Sequence, residues 1–472
     1  MVSTFGSLAT AYSGLTAARA GIDVTGQNIA NAGTVGYTRQ RVTQSSVPAV
    51  QTGFVRGTAA LAGQGVSVDG IARLGSLTLD AGLRAATGSS AWAQTRATAL
   101  STLEGGLQEP GKNGLATKLD AFWSSWGDLA AHPDDPGAAS SVIAAASTVA
   151  STLASGSKAV DDQWSTVRST AATQVGQLND AATQVADLNG RIRATLAGGG
   201  NANELLDHRD QLTQQIAGLA GGTVRTNTDG TVDVLLGGNP LVQGDTVRTV
   251  ELAGGARLAD GEPVSLRWTS GSAGTVPLDG GSIGGALTLL APASGGSGGA
   301  LAEASATYDR VATQLATAVN TAHAKGSTPT GATGAPFFAL AAGGLAAQGL
   351  SVVPTDGSGL ATRNAAGQLD DSFADTLSRL GTATGGADRT WATFVAGVGS
   401  ASRTAASETT LTGLALTSAR TQQQSGAGVD LDEENVALLS YQHAYQGAAR
   451  VLTAVDEMLD TLINRVGLVG RG

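Results

Sequence analysis

Apolar positions keep a helical period at both ends of the chain and alternate in a stretch of its middle, and these changes sketch an architecture. Near the start, Phe5, Leu8, Tyr12, Leu15, Ile22 and Ile29 recur at helical spacing, with Arg19 and Gly26 off the pattern. That spacing predicts an amphipathic helix. At the other end, Leu431, Leu438, Tyr441, Tyr445, Ala448, Leu452, Val455, Leu459, Leu462 and Val466 fall on the a and d positions of a heptad. Glu434 interrupts the row, near a helix start where an acid is favoured. Ala444, Ala449, Val451, Met458 and Ile463 widen it into a broad apolar face. Such a helix does not rest in water alone, and the natural partner of one terminal helix is the other.

Between the ends, Leu115 to Leu129 is again helical in pattern, and Pro133 and Pro136 punctuate it. From Val142 to Leu196 a stripe of Val160, Trp164, Val167, Val175, Leu178, Val185, Leu188 and Ile192 predicts one long helix or two in series, with Gly176 and Gly190 as weak points. A shorter helix from about Ala202 to Leu219 should end at Gly221-Gly222. The period then shortens. Val224, Thr226, Thr231, Asp233 and Leu235 flank Asp229-Gly230, a hairpin signal, and Asp260-Gly261 ahead of Val264, Leu266 and Trp268 repeats it. Helix resumes over Leu301 to Ala324 and from about Thr390 onward, with a break at Ser425 to Gly428.

The expected fold is therefore mainly α with inserted β, in several domains. Residues 1–48 with 429–472 would pair as a coiled-coil-like terminal core for assembly. Residues 49–222 with 279–338 and 387–428 would form a helical middle domain, and 223–278 a small antiparallel β outer domain. The Gly- and Ala-rich segment 339–386 has no periodic feature that decides its fold.

Composition changes the picture in two ways. At 472 residues the chain is long enough for more than one core, but 67 Gly and only 4% aromatics imply thin, close-packed ones. The net charge of −10 comes with cations that are almost all Arg, Lys112, Lys118, Lys158 and Lys325 being the lysines. Without a dense basic stripe, nucleic acid is not an expected partner. There is no cysteine, hence no disulfide framework, thiolate metal site or cysteine nucleophile. The N-terminus, Met1 to Gly6, lacks the cationic start and apolar run of a secretory signal, and no run of about 18 apolar residues suggests a membrane span. The expectation is a chain that, if it acts outside the cell, leaves without a cleaved signal.

Candidate chemistry is sparse. Asp207, His208 and Asp210 could suggest a metal or acid-base site, but helix neighbours do not face one point and Arg209 adds a cation, so helix-surface pairing is the expectation. Asp134-Asp135, Asp161-Asp162 and Asp370-Asp371 read as loop or helix-start residues. His132, His208, His323 and His443 stand singly, and no Gly-rich segment has a phosphate-loop context. No catalytic, cofactor-binding or metal residues are expected, and the chain does not read as an enzyme.

The stretch Asn28-Ile29-Ala30-Asn31 through Gly36-Tyr37-Thr38-Arg39-Gln40 resembles the N-terminal signature of the flagellar axial proteins, the family of rod, hook and hook-associated proteins. Asn31 and Gly33 stop a helix and Gly36 permits a turn; Val35 stands where the family commonly has Pro. Leu431-Asp432-Glu433-Glu434-Asn435 and Tyr441 to Gln446 are similar to that family's C-terminal helix. Asn203 to Leu212, Pro240 to Gly244, Gly280 to Leu287 and Pro336-Phe337-Phe338 resemble the branch that makes the first junction between hook and filament. The resemblance implies an extracellular structural subunit of the flagellum. Its partners would be a ring of its own copies, hook protein, other hook-associated proteins and an export chaperone. Its motif residues would be Asn28, Asn31, Gly36, Tyr37, Arg39 and Gln40, and its assembly interface Phe5, Leu8, Tyr12, Leu15, Ile22, Ile29, Leu438, Tyr441, Tyr445, Leu452, Val455, Leu459 and Leu462. Alternatives are hook protein, the third hook-associated protein or, from another class, a secreted adhesin or hydrolase.

Overall fold

The structure, a computed structural model, describes residues 4–48, 63–271, 274–333, 335–364 and 366–461. Leu462, Ile463 and Val466 lie outside the described residues, as does the side chain of Phe5.

The chain begins with α1 (Thr4–Asn31) and ends with α10 (Leu431–Asp460), and these two helices pack together. They run antiparallel with a seven-residue register: Asn28 meets Glu434, Gly21 meets the ring of Tyr441, and Gly14 meets Ala448. The row of α1 that faces α10 is therefore a row of small and polar residues, Gly14, Ala18, Gly21, Thr25 and Asn28, which lets the helix axes approach closely. The large apolar row expected to form this seam stands one position later on the wheel. Leu8, Leu15, Ile22 and Ile29 are half-buried along its flank, and Tyr12 is 65% exposed. The off-pattern Arg19 and Gly26 continue that flank and are exposed. On α10 the expected row does face the partner: Val455 is buried, and Leu438, Tyr441, Ala448, Leu452 and Leu459 are half-buried, though Tyr445 is 37% exposed.

After α1 the chain turns where the Asn and Gly residues indicate. Asn31 accepts from Thr34 through both its carbonyl and its side chain, and Gly36 takes φ +82°. A long antiparallel ribbon follows, β1 (Gln40–Ser46) with β2 (Val66–Arg73), paired from Gln40↔Arg73 to Ser46↔Val66.

The body is helical. α2 (Leu77–Leu107), started by Ser76, lies antiparallel to α9 (Ala387–Ala427), with Gln423 bonded to Asp80 near one end. α3 (Leu115–Ala131) leads to α4 (Pro136–Ala197), whose start is set by Pro136 in the first turn and the Asp135 carboxylate on the Gly137 N–H. α4 is one uninterrupted helix through Gly176 and Gly190. By length and composition it could cross a membrane, contrary to the sequence reading, but its Val142, Val149, Leu153 and Trp164 are enclosed in the protein core. α5 (Asn203–Ala220), α6 (Gly281–Leu290), α7 (Ala300–His323) and the short α8 (Ser372–Ser378) complete the α-helices among the described residues.

Between α5 and α6 lie a four-stranded antiparallel sheet in sequential order and a two-stranded one. The first is β3 (Thr223–Thr226), β4 (Val232–Leu236), β5 (Asn239–Gln243) and β6 (Thr246–Val247); the second is β7 (Val250–Ala253) with β8 (Ser265–Trp268). Asp229-Gly230 makes the β3–β4 turn as its chemistry requires. Asp260-Gly261 instead lies in the long β7–β8 loop, where the Asp260 carboxylate accepts from the N–H groups of Ala256 and Arg257.

Two apolar cores divide the body. One gathers Phe122, Trp126, Trp164, Tyr308 and Trp391 from α3, the first half of α4, α7 and α9, with Phe337 and Phe338 from the segment after α7. The other joins Val175 to Ile192 of α4 with Leu212 and Ile216 of α5 and Val232, Val234, Leu241, Leu266 and Trp268 of the strands. The cores thus part within α4, between Trp164 and Val175, rather than at residue 223. Strands this short cannot close a core alone, so they cover the far end of α4. The described residues of segment 339–386 join the first core through Ala347, Leu350, Leu360, Ala374 and Leu377, with a ribbon of β9 (Phe338–Leu340) and β10 (Leu350–Val352).

Candidate assembly joint

The terminal pair meets the body at a knot of buried polar groups, where three of the segments singled out in the sequence, 28–40, 203–212 and 431–435, come together. Asn28 in α1 uses its full hydrogen-bonding capacity. Its Nδ2 donates to Gln40 O (2.9 Å) and Glu434 Oε2 (3.0 Å), and its Oδ1 accepts from Gln40 N (3.0 Å) and Tyr37 Oη (2.9 Å). Glu434 is only 2% exposed. A buried carboxylate is tolerated when paired, and here Arg39 Nε reaches Glu434 Oε1 at 2.7 Å while its Nη1 holds Glu433 at 2.6 Å. The heptad interruption is therefore the most specific contact α10 makes, rather than merely a favourable charge at a helix start.

From the same turn the chain grips α5. The Thr38 N–H donates to Asp207 Oδ2 (3.2 Å), Arg73 bridges Asp207 and Asp210 (2.6 Å each), and Asn203 Nδ2 donates to Gln40 Oε1 (3.0 Å) and Ile71 O (3.1 Å). Gln211 reaches Val35 O at 2.6 Å beneath Gly36, where an added Cβ would collide with the Gln211 side chain. Arg39 N also donates to Ala427 O, fastening the turn to the end of α9. One loop, residues 37–40, thus ties α1, α10, the ribbon, α5 and α9 together.

The expectation that Asp207, His208 and Asp210 form pairs on a helix surface does not hold. Asp207 and Asp210 face the ribbon, His208 is exposed, and Arg209 is buried on the opposite side against Asn189 Oδ1 and Gly230 O. The helix therefore clamps the joint on one side and the β3–β4 turn on the other. Among the described residues no group of three or more His, Asp or Glu could hold a metal ion.

Electrostatics reinforce the knot. Burial opposes the charge of Arg39, but its hydrogen bonds and the charges of Glu433 and Glu434 outweigh that and hold the guanidinium above its ordinary range. Tyr37 is pushed up to about 12, first by burial and then by Asp207, Glu434 and Glu204, so it remains a donor to Asn28. Burial raises Asp207 despite Arg73 and Thr38, and burial with the nearby charge of Asp210 raises Asp80. These carboxylates are held by geometry at some electrostatic cost.

Sequence reasoning picked out Asn28, Asn31, Gly36, Tyr37, Arg39 and Gln40, and the structure gathers Asn28, Tyr37, Arg39 and Gln40 in the knot with Asn31 and Gly36 shaping the turn beside it. It missed Arg73 and the roles of Glu434 and Asp207. The available signal was an acid at a seam position, which a lone exposed helix start would not need.

Comparison with known proteins agrees with this architecture. The family model described as flagellar hook-associated protein FlgK helical domain matches residues 100–338. Flagella basal body rod protein matches residues 8–38, and the C-terminal part of flagellar basal body rod FlgEFG protein matches 421–465. The chain is 29% identical over 512 residues to flagellar hook-associated protein 1 of Bacillus subtilis, covering 100% of both chains. It is 30% identical over 338 residues to flagellar hook-associated protein 1 of Escherichia coli, covering 70% of this chain and 59% of that one. The solved structure of the flagellar hook junction protein FlgK from Burkholderia pseudomallei aligns with TM-score 0.48 and 26% identity, over 55% of this chain and 46% of that one. With half of its length in the hook-associated helical domain and its two ends matching the rod-protein families, this chain belongs to the flagellar hook-associated protein FlgK family, as a structural component of the bacterial flagellum.

Proposed function

We propose that the chain joins hook to filament, as a ring of copies held by the terminal helices, with hook protein and other hook-associated proteins as neighbours. The observation that carries this reading is the joint: the motif loop at 37–40 fixes a terminal helical pair, whose apolar flank is open, to a body that closes its own cores. The role is mechanical, and no catalytic step enters it. In this reading residues 1–48 with 429–472 are the assembly unit, and the half-buried Leu8, Leu15, Ile22, Ile29, Leu438, Leu452 and Leu459, with exposed Tyr12 and Tyr445, meet neighbouring subunits. Of the other expected interface residues, Tyr441 packs on Gly21 and Val455 is buried within the same copy, while Leu462 and the side chain of Phe5 lie outside the described residues. The middle helices and the strands of 223–278 form the outer part. Export proceeds through the flagellar channel with an export chaperone and without a cleaved signal.

The test is electron microscopy of a strain lacking the gene. Hooks without filaments, with filament protein shed to the medium, are the expected result, restored by the wild-type chain and not by Leu452→Asp. Normal filaments in the deletion strain would overturn the reading.

A further inference from the structure

Away from the joint, a cleft of about 690 Å³ opens between α2, the loop after α6, α7 and the first turns of α9. Its floor is apolar, with Leu100, Leu289, Phe394 and Val398, and its rim carries Arg96, Arg310 and Arg389. None of these arginines is in an ion pair among the described residues. The Arg96 guanidinium lies 4.4 Å from the centroid of the Trp92 ring, and its Nε is enclosed without a hydrogen-bond partner. Glu303 also lines the cleft; its carboxylate accepts from the N–H groups of Ser294 and Gly298 in the neighbouring loop and feels the charge of Arg310 without an ion-pair contact. In a chain with 38 acids against 28 Lys and Arg, this is a local reversal of charge around an apolar floor. A cleft of that size takes a few side chains and not a folded domain.

We propose that the cleft receives the acid-bearing apolar face of a helix from a neighbouring subunit of the axial assembly, a reading that rests on the structural role proposed above. Guanidinium groups bind carboxylates in a fixed fork and tolerate the partial desolvation of a rim, while Phe394 and Leu100 take the apolar side chains between the acids. The chain itself displays a face of this chemistry: Asp432, Val436 and Leu439 stand four and three residues apart on α10, all exposed. The α10 of the same copy does not reach the cleft. α9 separates Phe394 from the start of α10 by about 50 Å at 1.5 Å per residue, so the contact is between subunits.

The probe is a fluorescent peptide of residues 430–446, titrated with the full chain and read by anisotropy. Saturable binding is expected, weakened at least tenfold by Arg310→Glu with Arg389→Glu. A peptide carrying Asp432→Lys and Glu433→Lys should reverse the preference and bind the double variant more tightly than the wild type. Thermal melting checks that the double variant is folded; should it melt early, Arg389→Gln alone, at an exposed position, should still weaken binding at least threefold. Absence of saturable binding, equal binding by the charge-reversed pairs, or binding of dodecanoate but not of the peptide would each overturn the proposal. Such a failure alongside filamentless hooks in the deletion strain removes the cleft alone, whereas normal filaments in that strain remove the reading beneath it.

Discussion

The body and the terminal pair complete their packing differently. In the body, Phe122, Trp126, Phe337 and Phe338 are fully enclosed and pack ring against ring, and Trp164 and Trp391 are enclosed in the same core. In the terminal pair the enclosed apolar residues are Ala11, Ala17, Ala18, Val24 and Val455, and most of the larger apolar side chains lie along an open flank. The polar groups reverse this order, since the pair is pinned to the body by a saturated knot at Asn28 and Glu434. On the proposed junction role, the body closes its own cores and the open flank of the ends is the surface left for copies and neighbours to cover.

The sharpest way to break the contrast is to truncate a side chain in each region. Trp126→Ala should cost about 3–5 kcal/mol and unfold much of the body at ordinary temperature, read by chemical denaturation. Leu452→Asp, at a half-buried seam position, should leave the main unfolding transition of the isolated chain nearly unmoved and abolish incorporation into the flagellum, read by swimming and immunolabelling. A large loss of body stability in the second variant would erase the distinction between the regions.

At the joint, Glu434→Ala leaves Arg39 without its buried partner and Asn28 with an unmet donor. A loss of about 3–5 kcal/mol is expected for breaking such a pair, read as proteolysis at residues 31–40 while the body remains intact. Gly21→Ala should act on the seam alone, because a Cβ there would meet the Tyr441 ring, whereas Gly26 has open space and Gly26→Ala should stabilise α1 by about 0.4–1 kcal/mol. Circular dichroism of the two variants side by side separates seam packing from helix propensity.

The smallest effect concerns pH. His323 is buried, its Nδ1–H donates to Ala335 O at 2.8 Å and its Nε2 accepts from the Ala361 N–H at 2.9 Å, so both nitrogens are occupied by the neutral ring. Burial lowers its tendency to protonate. The unfolded chain therefore binds the proton first, and body stability should fall as pH drops through about 6.5, the ordinary histidine value. Denaturation at pH 7.5 and pH 5.5 checks this, and His323→Gln should flatten the difference.

Much of the fold was legible because it rests on local rules. Asn31 closed α1, Pro136 opened α4, Asp229-Gly230 turned the first hairpin, and the stop at Ser425 to Gly428 matched the end of α9 at Ala427. The seam on α1 was misread by one position because hydrophobicity favours the row of Leu8, Leu15 and Ile22, while close approach favours the row of Gly14, Ala18 and Gly21. The joint was half legible. Asn28 to Gln40 stood out as a motif, but its partners lie far away in the chain at Asp207 and Glu434, and no local pattern announces such long-range ion pairs. The 339–386 segment was opaque for a related reason: its Ala347, Leu360 and Leu377 gain meaning only from the aromatic core they cover.

The central claim is that the terminal pair opens more easily than the body until neighbours cover its flank. Hydrogen exchange by mass spectrometry, on the isolated chain and on the chain incorporated in purified hook–basal bodies, tests it directly. The account predicts that residues 4–31 and 431–460 exchange well before α4 and α7 in the isolated chain and become as protected as they are once assembled. Ends already as protected as the body in the isolated chain, with no gain on assembly, would contradict it.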